Sequence, residues 1–164
     1  METLNCISAR ACVRKYTSKP IPRDIIEKLI DAGRRAPTAR AIEPWEFIVV
    51  TDKETLSSLS KIAEYGRFIK EAACCIAVYC KYTKYYLEDG SAASENILLA
   101  ATDLGLGACW VAGDKKPYVT DVSKLLDVPE EFKLISLIPL GWPVEKVEQK
   151  KNRKLKDVLH WEKW

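Results

Sequence analysis

The residues best equipped for chemistry lie close to the start, in Arg10-Ala11-Cys12-Val13-Arg14-Lys15. Read alone, this stretch is either a solvated basic turn or an anion site, because guanidinium groups grip phosphate through paired N–H donors. A second basic cluster, Lys150, Lys151, Arg153, Lys154 and Lys156, lies near the end of the chain. Six cysteines (Cys6, Cys12, Cys74, Cys75, Cys80 and Cys109) and one histidine, His160, bound the other options. No C-x-x-C spacing occurs, so a zinc site is not expected. Nucleophilic cysteine catalysis ordinarily calls for a nearby base, and a single terminal histidine is a poor one. Cys74, Cys75 and Cys80 sit in an apolar run and read as small core residues. A Lys- and Glu-rich surface fits a thermophile, a setting in which a cytosolic disulfide occurs. Gly105-x-Gly107 follows a helical pattern rather than a strand and lacks the third glycine of a dinucleotide loop. Trp142, Trp161 and Trp164 read as packing or interface anchors rather than platforms for bases.

The elements that must position these groups are legible from periodicity. At 164 residues the chain suits one domain with a sizeable core, residues 1–164. Its net charge of +3 is too small to argue for nucleic acid. No apolar run reaches ~18 residues, so no membrane span is expected. The first residues lack the pattern of a signal peptide, and a cytoplasmic location is expected. A short helix is predicted over 3–11 with Leu4, Ile7 and Ala11 on one face, and an amphipathic one from Ile21 to about Gly33, with Ile25, Ile26, Leu29 and Ile30 as its buried stripe. A proline-framed loop over 34–45 leads into a strand at Glu46–Val50, then a helix to about Ala63 and a buried strand over 72–80.

The stretch from Asp89 to Gly113 organises the rest. Its helical part is apolar on nearly every side, which predicts a buried central helix. Gly105 is the expected stop, and Ala108–Ala112 is the expected core strand after it. A helix opening at Lys116-Pro117-Tyr118 follows, then the most apolar strand, Phe132 to Leu140, and a terminal helix around Leu155–His160. Alternating strands and helices predict a sheet covered by helices.

Four blocks carry a family resemblance. They are Arg10 to Arg14; Ala36-Pro37-Thr38-Ala39 through Pro44-Trp45; Asn96 through Gly105-Leu106-Gly107 to Trp110; and Leu140-Gly141-Trp142-Pro143 followed by Lys151-Asn152-Arg153. In this order they resemble the nitroreductase family of FMN-dependent oxidoreductases over essentially the whole chain. The resemblance implies an α+β fold: three α/β/α layers around a mostly antiparallel sheet, assembled as a homodimer with two FMN sites between subunits. Residues 144–164 are the expected C-terminal extension, packing on the partner. The implied activity is ping-pong hydride transfer from NADH or NADPH through FMN to a small acceptor, a nitroaromatic or a quinone. The alternative is an FMN-binding protein without turnover, a carrier or sensor.

The same resemblance implies the site residues. Arg10, Lys151 and Arg153 match positions that hold the phosphate, each charge-assisted contact contributing about 1.5–3 kcal/mol. Arg14 matches the cation near flavin N1 and O2, where it favours the developing anion. Ala11 and Cys12 lie on the matched turn, Cys12 in place of a serine beside the ribityl chain. Pro37, Thr38, Ala39 and Ala41 would come from the other subunit, and Trp110, Val111, Ala112 and Gly113 would lie over the ring. No side chain is assigned as a catalyst, and no metal is implied. Three departures stand out: Ala11 replaces an arginine, Ala41 an asparagine and Glu43 a glutamine. Loss of the asparagine amide removes a hydrogen bond worth about 0.5–1.5 kcal/mol net.

Overall fold

The computed structural model describes residues 2–164. Its centre is a pair of antiparallel strands, β2 (Cys74–Lys81) and β5 (Phe132–Gly141), with β1 (Trp45–Val50) on the outer side of β2. Two two-residue strands, β3 (Gly107–Ala108) and β4 (Val111–Ala112), complete the sheet along the other side of β5. Every ladder is antiparallel. Along β2 the side chains alternate: Cys74, Ile76, Val78 and Cys80 enter one apolar cluster, and Cys75, Ala77 and Tyr79 enter another. A run that is apolar on both faces has to be covered on both, and helices do so. α2 (Arg23–Gly33) and α4 (Tyr86–Asp103) pack on one face. α3 (Lys53–Ile62) and α5 (Val119–Leu125) pack on the other. The result is the three-layer α+β architecture expected.

A bulge at Val78/Tyr79 shifts the register against β5. It lets Ile135 join the α4-side cluster while Ser136 bonds Ser94 of α4 at 2.8 Å, so consecutive β5 residues address one face. The buried serine pair is thereby satisfied in an otherwise apolar layer.

Several expectations are corrected. The strand expected at 108–112 is split in two around Cys109 and Trp110, although β3 and β4 keep a single register on β5. The reason lies across the ladder: Pro139 has no N–H to donate there. Cys109 N–H still reaches Pro139 O, at 3.4 Å. The central helix starts at Tyr86, three residues before Asp89, and leaves Glu88, Glu95 and Asp103 exposed, so it is not buried all round. α1 (Thr3–Ala9) stops short of Ala11, and its buried residue is Cys6; Leu4 and Ile7 are exposed. A 3-10 turn at Arg67–Glu71, unforeseen in the sequence, precedes β2, which begins at Cys74 rather than 72. The terminal helix reduces to one 3-10 turn, Leu155–Asp157, because the exposed tail has little to pack against. Gly105 ends α4 as expected, at φ +76°.

Gly90 sets how closely α4 approaches the sheet. A methyl there would stand 2.5 Å from Ile135 Cγ1 and 2.9 Å from Cys80 Sγ. Helix propensity alone favours Ala by about 1 kcal/mol, but overpacking costs about 1–3 kcal/mol. Gly90→Ala is therefore expected to lower the thermal unfolding midpoint, whereas Ser91→Ala, on half-exposed ground, should not. A midpoint raised by Gly90→Ala would contradict the close helix–sheet contact.

Candidate functional site

The segment leaving α1 is laid across one end of the sheet. Val13 N–H donates to Ala108 O at 2.9 Å, and Cys12 forms an isolated parallel bridge with Ala108. Tyr16 bridges Pro143, and its buried hydroxyl lies 2.6 Å from Val13 O and 3.2 Å from Pro139 O. Burial pushes this phenol far above its ordinary range. Space for the crossing comes from two glycines. A methyl on Gly107 would meet Val13 Cγ1 at 2.6 Å, and one on Gly141 would meet Tyr16 Cβ at 2.7 Å. The two glycine motifs noted in the sequence are thus the trough that holds Arg10–Tyr16.

Arg10 follows the last turn of α1 and is half-buried, its Nε 3.5 Å from Glu95 Oε1 of α4. Such a pair is worth about 0–1 kcal/mol in stability, so its main effect is to hold the guanidinium in place. Gln149 Nε2 donates to Arg10 O at 2.8 Å, which draws the start of the C-terminal extension against the same segment. Ala11 is half-buried beside it. Arg14 points along the Phe68 ring, 5.8 Å from its centroid. It lines a cleft of about 320 Å³ together with Tyr65, Cys109, Trp110, Val111, Ala112, Lys116 and Tyr118. Tyr118 donates its hydroxyl to Ala112 O, fixing the exposed edge of β4. Gly113 does not line the cleft; it packs against Leu134 and the Ile135 backbone of β5.

Cys109 lines this cleft, and Cys12 opens onto a neighbouring pocket that shares Arg14 with it. All six cysteines are free thiols. The nearby Cys109 thiol brings the Cys12 pKa down to about 5, against the opposing effect of partial burial, and Arg10 and Arg14 act in the same downward direction. The same proximity, with burial, pushes Cys109 well up. Cys74, Cys75 and Cys80, by contrast, are raised by burial alone or chiefly so.

Pro37, Thr38, Ala39 and Ala41 are not part of the cleft of their own chain. They form a separate patch on the proline-framed loop, with Pro37 and Ala41 exposed. Asp89, buried in the first turn of α4, holds it: Thr38 Oγ1 donates to one carboxylate oxygen at 2.8 Å and Ala39 N–H to the other at 3.0 Å. Arg40, Ala41 and Glu43 take positive φ (59°, 52° and 50°), a conformation L residues adopt only when their surroundings impose it. Lys151 and Arg153 are exposed, two and four residues beyond Gln149. The aromatic wall of Tyr65, Phe68 and Tyr118 escaped the sequence reading because it joins two distant segments, the turn around Arg67–Glu71 and the start of α5, with no shared motif. Asp89 was noted only as the start of a helix. A larger groove of about 720 Å³ lies elsewhere, between α2 and the edge of β1, with Ile21, Ile26, Ile30 and Val49 in its lining.

Comparison with known proteins agrees with the fold. The model of the nitroreductase family matches residues 7–77 and 63–142. A Methanothermobacter thermautotrophicus protein named "Putative NADH dehydrogenase/NAD(P)H nitroreductase" is 37% identical over 172 aligned positions, covering 100% of this chain and 88% of that protein. A Parabacteroides distasonis structure of the same name superposes with a TM-score of 0.94 at 36% identity, over 100% of this chain and 99% of that one. An FMN-dependent nitroreductase from Clostridium difficile superposes with a TM-score of 0.91 at 27% identity, over 98% and 99%. The family match, rather than the architecture alone, places the chain among oxidoreductases. The chain belongs to the nitroreductase family.

Because Asp89 satisfies the loop with one side chain, Asp89→Ala should leave the Ala39 N–H without its acceptor and cost about 1–3 kcal/mol. Limited trypsin digestion is expected to cut after Arg40 faster in this variant than in the wild type. Equal cleavage rates would mean that the loop is held by something other than Asp89.

Proposed function

We propose that the protein is an FMN-dependent NAD(P)H oxidoreductase that passes hydride equivalents by a ping-pong route to a small acceptor such as a nitroaromatic or quinone. The observation that carries this reading is the convergence of Arg14 and Lys116 with the Trp110–Ala112 segment around one aromatic-walled cleft, while Arg10, four residues before Arg14, is held against Glu95. The donor set suits FMN: cations for a dianionic phosphate, a flat apolar wall for a ring, and backbone polar groups at the exposed edge of β4. Bound FMN supplies a centre that takes a hydride from a nicotinamide and returns it to an acceptor.

The chain's own residues bind, orient and tune. Arg10, steadied by Glu95, together with Lys151 and Arg153 from the extension that Gln149 draws toward Arg10, anchors the phosphate. Arg14 places positive charge where the reduced ring is anionic. Ala11 and Cys12 would lie along the ribityl chain, and Trp110, Val111 and Ala112 would face the ring, with Gly113 packed behind them against β5. Pro37, Thr38, Ala39 and Ala41 act in the site of a second subunit, which accounts for a loop so firmly held yet absent from its own cleft. Exposed apolar residues at both ends, among them Leu4 (76% exposed), Leu155 (74%) and Trp161 (77%), support a homodimer in which the 144–164 extension packs on the partner. A cytoplasmic location completes the proposal.

The test is a visible spectrum after mixing the protein with FMN and desalting, followed by NADH and NADPH oxidation with a quinone. A retained, perturbed flavin spectrum near one FMN per chain and steady turnover are expected. Bound flavin without turnover would instead favour a carrier or sensor. Arg14→Ala should weaken FMN binding by about ten- to a hundredfold, the equivalent of one charge-assisted contact. Sedimentation as a monomer at all concentrations would contradict the shared site.

A further inference from the structure

The turn that leaves the cleft holds a carboxylate outside the cofactor set. Beyond Ala112 the chain is pressed onto β5: a methyl on Gly113 would stand 2.7 Å from Leu134 O. Lys116 N–H donates to Gly113 O at 3.1 Å, and Lys115 takes φ +62°, which closes the turn tightly. Asp114 does not line the cleft. It meets the first turn of α4, where the Tyr86 hydroxyl donates to Asp114 Oδ1 at 2.9 Å. Burial, then the Asp114 bond, push the Tyr86 phenol up to about 12, so Tyr86 is the donor. The second oxygen, Asp114 Oδ2, is buried and has no hydrogen-bond partner among the described residues. Asp89, on the same turn of α4, has both its oxygens bonded. The ion pairs of the described residues lie elsewhere, at Asp24, Glu27, Asp31, Glu95 and Glu145.

A clasp alone does not need that second oxygen. An asparagine at this position would accept from Tyr86 through its amide oxygen and hold the turn as well, without an unpaired buried carboxylate oxygen. What the aspartate adds is charge. It stands two residues past Ala112, so its Cα is at most about 7 Å from that of Ala112. Resting on the flavin reading above, we propose that Asp114 tunes bound FMN against reduction: its negative charge stands behind the strand edge that faces the ring and weakens binding of the anionic reduced form relative to the oxidised form. Tyr86 is the positioning residue that keeps Asp114 turned toward α4. Lys116, the cation two residues on, does not neutralise the carboxylate, because its amino group lies over the Tyr65 ring, 5.3 Å from the centroid. Two unit charges about 10 Å apart, at an effective dielectric of about 20, change an equilibrium constant by on the order of tenfold.

The experiment loads the full-length wild type, Asp114→Asn and Tyr86→Phe with FMN, desalts them, and measures the midpoint potential of the bound flavin by equilibration with a reference dye at neutral pH. Asp114→Asn is expected to favour reduced over oxidised FMN about tenfold more than the wild type does, a rise of about 30 mV for a two-electron couple. Tyr86→Phe keeps the carboxylate and should show no such rise. Equal potentials in the wild type and Asp114→Asn would overturn the proposal and leave the flavin reading intact. An equal rise in both variants would also overturn it, because the clasp rather than the charge would then be the cause. A wild type that retains no FMN would overturn the flavin reading itself, and this assignment with it. If Asp114→Asn does not fold, Asp114→Ser removes the same charge with a smaller side chain and carries the same prediction.

Discussion

Two adjacent strands buried on both faces impose the constraint on which everything else depends. From Cys74 to Cys80 and from Leu134 to Gly141 no residue is exposed. Their backbone groups have no access to water and must be paired in the ladder, and their side chains must be covered by two separate helix layers. Neither strand has a solvent-facing side to fall back on, so their mutual register is strongly specified. The bulge between Val78 and Tyr79 is the one adjustment, and it adds Ile135 to the α4 side beside Ser136, whose hydroxyl is satisfied by Ser94.

The candidate site inherits its geometry from that pair. β5 ends in Gly141 and carries Pro139 near its end, and both features act on the neighbouring chain. Pro139 interrupts the ladder and frees Cys109 and Trp110 from regular pairing. Gly141, with Gly107 opposite, leaves the hollow in which Val13 and Tyr16 lie. The cationic segment is thus pressed onto the sheet by its own apolar residues while Arg10 and Arg14 stay at the edge. This division of labour suits an anion site, because charged groups held by a packed backbone need little ordering when a ligand arrives.

α4 couples the two halves of the proposed shared site. Asp89 in its first turn holds the loop that is proposed to reach a partner, and Glu95, under two turns later, steadies Arg10 at the chain's own cleft. Asn96, on the same helix, donates to Ala32 O at the end of α2. One rigid helix seated on the sheet through Gly90 therefore sets the spacing between the residues a subunit uses and those it is proposed to lend.

Much of this was legible in the residues themselves. The α2 stripe of Ile25, Ile26, Leu29 and Ile30, the β2 and β5 runs and the stop at Gly105 follow from local periodicity and backbone preference, which depend on neighbours a few positions away. The four motif blocks likewise pointed to the family and to Arg10 and Arg14. The split at Cys109 was hidden because its cause, Pro139, lies thirty positions further on and acts only across a ladder. The exposure of Leu4 and Ile7 was hidden because a helix pattern does not say whether a partner surface is present. The Asp89–Thr38 clasp, the Arg10–Glu95 pair and the Cys12–Ala108 bridge join residues 51, 85 and 96 positions apart. No local pattern encodes such meetings; they exist only once the sheet has closed its register and the helices have taken their places on it, so the tertiary structure alone decided which carboxylate became a clasp and which one steadies Arg10.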